Sequence, residues 1–313
     1  MADVLALEGV DGPALQALAA DFEVAHATTL DAADGDLGSV RALIVRNRTQ
    51  VDAAALERLP RLEVVGRAGV GLDNIDVEAM SAAGVVVTYA PGENADSTAE
   101  HTLALALAAA HRIPELDRDV RAGGWNRRLG RELFGETWGV VGYGRIGRRV
   151  AALARGIGMS VLAADPLLEP GETDGATIVP LDRLLREALV VSVHVPLTAE
   201  SNALIGAAEL ATMRPEAILV NSARGGIVDE AALAEALRAG TIAAAALDVR
   251  EDEPPGTPDP LAELDQVVLT PHVAALTHEA QERVVRRVAG DVRAVLSGEE
   301  PAEPANFGRP RRR

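Results

Sequence analysis

The segment from Thr137 to Asp165, TWGVVGYGRIGRRVAALARGIGMSVLAAD, constrains the fold more than any other stretch of the chain. The apolar run Trp138 to Val141 reads as a buried parallel strand; it opens directly into Gly142-Tyr143-Gly144-Arg145-Ile146-Gly147, and a helical segment follows. A second apolar run, Ser160 to Ala164, ends at Asp165. That carboxylate stands roughly 20 residues past the turn, where a dinucleotide-binding βαβ unit places the group that holds a ribose. Gly142 permits the tight turn, Gly144 lets the backbone approach a pyrophosphate, and Gly147 lets the helix lie against the strand. The helix N-terminus adds free N–H groups and partial positive charge. A lone GxGxxG also arises from packing, so the weight rests on the strand, helix and carboxylate around it. The ADPLLEP segment carries no Arg or Lys to receive a 2′-phosphate, which points to NAD rather than NADP.

A length of 313 residues suits about two domains, each with its own core. The formal charge of −17 argues against a general nucleic-acid or anionic-membrane surface, because like charges repel. Every basic residue is Arg, so a lysine Schiff base is excluded, and the lack of Cys removes disulfides, thiolate catalysis and sulfur-ligated metals. The six His show no HxxxH or HExxH spacing, and no metal is expected. The N-terminal MADVLALEGVDG has neither the basic nor the apolar segment of a signal peptide, and the apolar helix Leu103 to Ala110 is too short to span a bilayer. These features suggest a cytoplasmic enzyme.

The first ninety or so residues have their own βα alternation, with strands expected at Val4–Leu7, Ala42–Val45, Leu62–Val65 and Val85–Thr88 and helices at Val51–Leu59 and Asp76–Ala83. Having no GxGxxG, this small α/β domain is not expected to hold the dinucleotide. Two loops at its strand ends, around Arg46-Asn47-Arg48-Thr49 and Arg67-Ala68-Gly69, are candidates for anion contact, although Arg at a strand end more often forms a surface ion pair. At Pro91 a loop enters a long helix; Ser97 and Glu100 have capping-box spacing, and His101 reads as a helix-face residue. That helix should end before Pro114, with a shorter one over Leu116 to about Ala122, stopped by Gly123-Gly124. After Asp165 the rhythm resumes with helix Leu181–Glu187. Strands at Leu189–Val193, Ala217–Val220, Ile242–Leu247 and Val267–Leu269 then end in polar tips that a parallel sheet gathers on its carboxyl edge. A helix from Thr277 to about Leu296 closes the pattern, and the Arg-rich tail beyond Phe307 is expected to be a poorly ordered, solvated terminus rather than a nucleic-acid arm.

The set RAGVGLDNID, APGENADSTAEH, VVGYGRIG, VSVHVPLT, VNSARGGIVDE, ALDVREDEPP and TPHVAALTHEA resembles the D-isomer-specific 2-hydroxyacid dehydrogenase family, especially its 3-phosphoglycerate dehydrogenase branch, over nearly the whole chain. The resemblance implies an α/β fold of two doubly wound parallel-sheet domains. One is a Rossmann-type NAD domain over 96–282; the other is a smaller flavodoxin-like substrate domain made of 1–95 and 283–313. It also implies a homodimer built largely through the helix after Pro91. The family's catalytic Arg, Glu and His fall on Arg224, Glu253 and His272. Reducing a 2-oxo acid needs a proton for the nascent alkoxide, and His suits that task near neutral pH. Glu253 would fix the imidazole, and Arg224 would offer a planar fork to the substrate carboxylate. Taken singly, His272 could cap a loop, Glu253 could belong to a solvated acidic cluster, and Arg224 could bind phosphate. Their joint placement on strand tips favours a site in which they meet above the nicotinamide, in the gap between two lobes. The resemblance adds cofactor contacts from Val195, Pro196 and Ser222, and from Asp248 to the nicotinamide amide; His194 would lie near the cofactor without an assigned role.

Several positions depart from the family pattern. Glu93 stands where Gly is common before Asn94, Ala274, Ala275 and Leu276 replace residues frequent after the TPH motif, and Arg250 replaces the usual Phe. Arg46, Arg48 and Arg67 suit a phosphorylated acid, with Arg67, Ala68, Gly69 and Asn94 as substrate contacts, so 3-phosphoglycerate leads. Hydroxypyruvate or glyoxylate reduction remains open, as does a dinucleotide-sensing binding protein without turnover. Formate dehydrogenases carry Gln where Glu253 stands. The chain ends without the regulatory domain of longer phosphoglycerate dehydrogenases, so serine feedback is not expected.

Overall fold

A computed structural model describes residues 2–34 and 37–307, so the expectation for the Arg-rich tail lies outside the described residues. The chain divides into two compact units, Met1–Asn94 with Leu276–Arg313, and Ala95–Ala275. We call these the first and second unit.

The first unit is built on strands β1 (Val4–Ala6), β2 (Val24–His26), β3 (Ala42–Val45), β4 (Val64–Arg67) and β5 (Val86–Thr88), interspersed with helices α1 (Pro13–Leu18), α2 (Ala53–Arg58) and α3 (Val77–Ala82). The strands form one parallel sheet in the order β2-β1-β3-β4-β5, the doubly wound order of flavodoxin-like folds. Successive strand residues point to opposite faces. Val4, Ala6, Ile44, Val64 and Val86 therefore build one core with Leu15 and Leu18 of α1, while Leu5, Leu43, Val65 and Val87 build another with Ala55 of α2 and Met80 of α3. Asp52 and Asp76 cap α2 and α3 by accepting backbone N–H bonds. β2 was not among the expected strands, because its residues are mostly half-exposed and show no apolar run.

The second unit begins with α4 (Ala95–Ala110) and α5 (Ile113–Arg121). It continues with β6 (Thr137–Val141), α6 (Arg145–Gly156), β7 (Ser160–Ala164), β8 (Gly171–Thr173), β9 (Ala176–Ile178), α7 (Leu181–Glu187), β10 (Val190–Val193), α8 (Ala207–Thr212), β11 (Ile218–Asn221), α9 (Glu230–Ala239), β12 (Ala244–Leu247) and β13 (Val267–Leu269). Its sheet runs β13-β12-β11-β10-β6-β7-β9-β8, parallel throughout except for the antiparallel β8–β9 hairpin at one edge. Strand order reverses between β6 and β10, so the glycine turn after β6 sits at the switch point where such sheets bind ligands. Trp138 and Val140 face the α4 and α6 side, and Val141, Val191 and Leu219 face α7, α8 and α9.

Three local expectations are corrected. Helix α4 starts at Ala95, which puts Ser97 inside its first turn, buried, and leaves Glu100 exposed, so the pair makes no capping box. Helix α5 starts at Ile113: Pro114 lies in its first turn, where its missing N–H would have had no partner anyway, and it opens the helix instead of ending the previous one. The chain returns to the first unit at Leu276 rather than at 283. The cause is the last helix, α10 (His278–Leu296), which Thr277 caps through Ala280 N; it runs unbroken, and its buried stripe of Val284, Val285, Val288, Val292 and Val295 joins the core of β1, β3 and β4.

Candidate active site

The glycine turn has the geometry that a dinucleotide needs. Gly142 has φ 93, a left-handed value that a side chain would strain, and a Cβ there would come within 2.8 Å of the His194 carbonyl carbon. A Cβ on Gly147 would lie 2.1 Å from Gly142 O, so only glycine lets α6 approach the strand this closely. Beside Gly144, the residue that caps α6 without a side-chain bond, a Cβ would meet nothing within 4 Å; the helix N-terminus is therefore open to an anion. Asp165 stands at the tip of β7, accepting from Tyr143 N at 2.9 Å and Leu167 N at 2.9 Å, which orients its carboxylate beside the turn. Arg145 is exposed and Ile146 half-buried. Arg148, further along α6, is held by Asp174 and lies 4.7 Å above the Tyr143 ring. The open helix end, the oriented carboxylate and the absence of a side chain where a pyrophosphate would lie all fit NAD.

On the next strand tip, the Trp138 indole donates to Ser192 Oγ at 2.8 Å, so the Ser192 hydroxyl is left to donate to His194 Nε2 at 2.9 Å. His194 Nδ1 is buried without a partner among the described residues, and burial pushes the imidazole down to about 3. Val195 and Pro196 follow on this tip, and Pro196 O accepts from Ser201 Oγ at 2.6 Å. At the tip of β11 the buried Asn221 side chain donates to Arg224 O at 2.7 Å and accepts from Ala223 N at 3.0 Å, fixing the turn that carries Arg224. Ser222 is 2.7 Å from Thr102 Oγ1, which itself donates to Thr98 O, so the Ser222 hydroxyl anchors this turn to α4.

Glu253 and His272, 19 positions apart, meet: His272 Nδ1 donates to Glu253 Oε2 at 2.7 Å. His272 has φ 55, an uncommon backbone state for a residue with a Cβ, and it is held there from below by the buried Asp248. Asp248 O accepts from His272 N at 2.7 Å, Oδ1 accepts from Thr270 Oγ1 at 2.6 Å and Val273 N at 2.9 Å, and Oδ2 accepts from Ala274 N at 2.8 Å. His101 on α4 joins them, its Nε2 3.1 Å from Thr270 Oγ1 and 3.3 Å from Asp248 Oδ1. Burial pushes the Asp248 carboxyl up, but the bonds from His101, Thr270 and the two amides outweigh it and hold the group below the usual carboxylate range. Asp248, expected only as a nicotinamide contact, is thus the staple of the loop that carries His272. The roles of His101, Thr270 and Asn221 were not legible in the sequence, because the contacts that define them join separate strand tips and a helix.

Apart from Arg224, the expected substrate residues lie in the first unit, where the two arginines have contacts of their own. Arg46 donates to Gln281 Oε1, and Arg67 folds over its own loop, its NH1 3.4 Å from Ala68 O and so close to Gly69 that a Cβ there would collide with it. The Glu8 carboxylate accepts from the amides of Arg46, Arg48 and Thr49 at 3.3, 3.0 and 2.9 Å, placing a fixed anion against the loop expected to bind one. Glu93 pairs with Arg287 of α10 at 3.3 Å, and Asn94 Oδ1 is buried with no partner among the described residues.

Fold and site together define a doubly wound, NAD-binding class of protein, and the comparisons make that specific. Residues 103–274 match the model of the D-isomer specific 2-hydroxyacid dehydrogenase NAD binding domain. The D-3-phosphoglycerate dehydrogenase of Archaeoglobus fulgidus is 50% identical over 261 residues, covering 82% of this chain and 50% of that protein. A glyoxylate reductase of Korarchaeum cryptofilum is 43% identical, covering 85% of this chain and 82% of that protein. The structure of D-lactate dehydrogenase from Aquifex aeolicus with NAD and lactic acid superposes with a TM-score of 0.84 at 31% identity, covering 95% and 96% of the two chains. The chain belongs to the D-isomer specific 2-hydroxyacid dehydrogenase family. It spans about half the length of the phosphoglycerate dehydrogenases that it matches. Among the described residues no helix is long and apolar enough to cross a membrane, and no cluster of His, Asp or Glu could hold a metal ion.

Proposed function

We propose that this chain catalyses the NAD-dependent interconversion of a D-2-hydroxy acid and its 2-oxo acid, with 3-phosphoglycerate and 3-phosphohydroxypyruvate as the leading pair. The observation that carries the reading is the 2.7 Å contact between His272 Nδ1 and Glu253 Oε2. With Nδ1 committed to a carboxylate, the ring orientation is set and Nε2 is the nitrogen left to give or take the proton of the substrate oxygen. NAD, when bound, supplies or accepts the hydride. Arg224 presents its guanidinium fork to the substrate carboxylate, a bidentate match that also draws charge from the neighbouring carbonyl. The turn 142–147 with Asp165 holds the pyrophosphate and ribose; Val195, Pro196, Ser222 and Asp248 complete the cofactor contacts. Arg46, Arg67, Ala68, Gly69 and Asn94 are assigned to the substrate.

The phosphoglycerate assignment is supported by the names and 40–50% identities of several relatives. A second reading, hydroxypyruvate or glyoxylate reduction, is favoured by Glu8, whose carboxylate occupies the loop amides that a phosphate would seek. Steady-state rates over a panel of 2-oxo acids decide between them: 3-phosphohydroxypyruvate should give the highest kcat/KM, and equal or faster turnover of glyoxylate overturns that substrate. Replacing His272 by Ala should lower kcat by roughly 100- to 10,000-fold while NADH binding stays unchanged. A protein that binds NADH yet turns over none of the acids would be a binding protein instead.

The same reading includes a cytoplasmic homodimer formed through the second unit. The dimer is supported by large apolar side chains left exposed between Ile113 and Phe134, where Trp125, Leu129 and Phe134 are 78%, 95% and 72% exposed.

A further inference from the structure

The Glu253 loop runs from the end of β12 to Asp259 without regular structure, and residues 251–258 are all exposed. Such a segment does not by itself hold a carboxylate at hydrogen-bond distance from an imidazole. Near its start the Arg250 side chain turns inward. The Arg250 side chain is only 10% exposed and donates to two carboxylates at once: through Nε and NH2 to Glu230, at 3.1 and 2.8 Å, and through NH1 and NH2 to Asp259, at 2.7 and 2.9 Å. Both acids are themselves fixed. Glu230 opens α9 and also accepts from Glu251 N at 2.7 Å, while Asp259 accepts from the amide of the fully buried Leu261 at 3.0 Å.

The consequence reaches the catalytic pair through the backbone. Arg250 N donates to Glu253 Oε1 at 3.2 Å, and the other oxygen of the same carboxylate receives His272. Arg250 O also lies so close to Gly225 that a Cβ there would stand 1.9 Å from it, which seats residue 250 against the turn following Arg224. We propose that Arg250, clamped between Glu230 and Asp259, is a positioning residue that holds Glu253 in register with His272. The assignment rests on the reading of Glu253 and His272 as the acid–base pair. The hydrogen bonds to Asp259 and Glu230 raise the guanidinium above its ordinary value, so the clamp does not open through loss of a proton from Arg250.

The test uses the full chain and the variants R250M, R250K, E253Q and R250M/E253Q. Ring NMR of the apo protein should show a hydrogen-bonded His272 Nδ1–H signal in the wild type that is lost in E253Q and equally lost or exchange-broadened in R250M. With the best 2-oxo acid, R250M should lower kcat by about 10- to 100-fold, the scale of small misplacements at a reacting centre, with NADH binding unchanged. R250K, which keeps the charge without the fork, should recover part of the loss. The double variant should be no slower than E253Q alone. An intact Nδ1–H signal in R250M, or losses that multiply in the double variant, overturns the proposal. Should R250M not fold, E230Q and D259N each remove one arm of the clamp and are read by the same signal. If the wild type turns over no acid the catalytic reading fails, while the NMR comparison still decides whether Arg250 sets the pair.

Discussion

The two units solve the same problem with the same device and different consequences. In each, a carboxylate just past one strand accepts the backbone amides of the loop following the neighbouring strand. Glu8, after β1, takes the amides of Arg46, Arg48 and Thr49 after β3; Asp248, after β12, takes those of Val273 and Ala274 after β13. Glu8 is half-buried and stands among cationic residues. Asp248 is fully buried and holds a loop whose central residue, His272, has a strained φ. In both, burial raises the carboxyl and hydrogen bonds more than offset it. The difference is what depends on the staple. In the first unit it shapes a surface loop. In the second it carries His272, the proposed acid–base group, so a defect there should reach chemistry as well as stability.

That contrast can be broken most sharply at Asp248. Asp248→Ala strands the Thr270 hydroxyl and two loop amides in a dry site, and should cost about 3–5 kcal/mol in urea unfolding together with most of the turnover. A loss below 1 kcal/mol with normal kcat would show that the loop holds itself. The second unit should also be the more acid-sensitive, through His194. Its folded value of about 3 lies below the ordinary 6.5, so the unfolded chain takes up a proton that the folded protein refuses. The stabilisation is complete above pH 6.5 and falls by up to about 1.4 kcal/mol per unit as pH drops toward 3. Between pH 7 and pH 5 that amounts to about 2 kcal/mol, which His194→Gln should remove from the wild-type pH dependence. The smallest effect should come from Glu8→Gln, at about 1 kcal/mol, with a raised substrate KM but unchanged kcat and NADH affinity. A fall in kcat as large as that of Asp248→Ala would erase the distinction between the staples.

Much of the architecture was legible in the residues alone, because it rests on local regularities. β3, β7, β13 and α7 fall where the apolar runs and the 3.6-residue period place them, and most other expected boundaries shift by one or two residues, the start of α5 by three. The glycine turn was readable because each glycine answers a backbone requirement that only its neighbours impose. Errors arose where two local signals competed. Ser97 has the spacing of a cap, but the helix begins before it, and Pro114 reads as a terminator although a first-turn proline is equally at home.

Sequence by itself therefore determined that this chain alternates strand and helix, carries a glycine turn between β6 and α6, and sets Arg224, Glu253 and His272 in the segments that follow β11, β12 and β13. Only the tertiary structure decided how those tips are held. His101 reaches Asp248 across 147 positions, Ser222 reaches Thr102 across 120, and Arg250 joins an acid 20 residues before it to one 9 residues after. Such bonds leave no periodic trace in the chain, because a hydrogen bond is satisfied by whichever group the folded sheet brings within about 3 Å, however far away it lies in sequence.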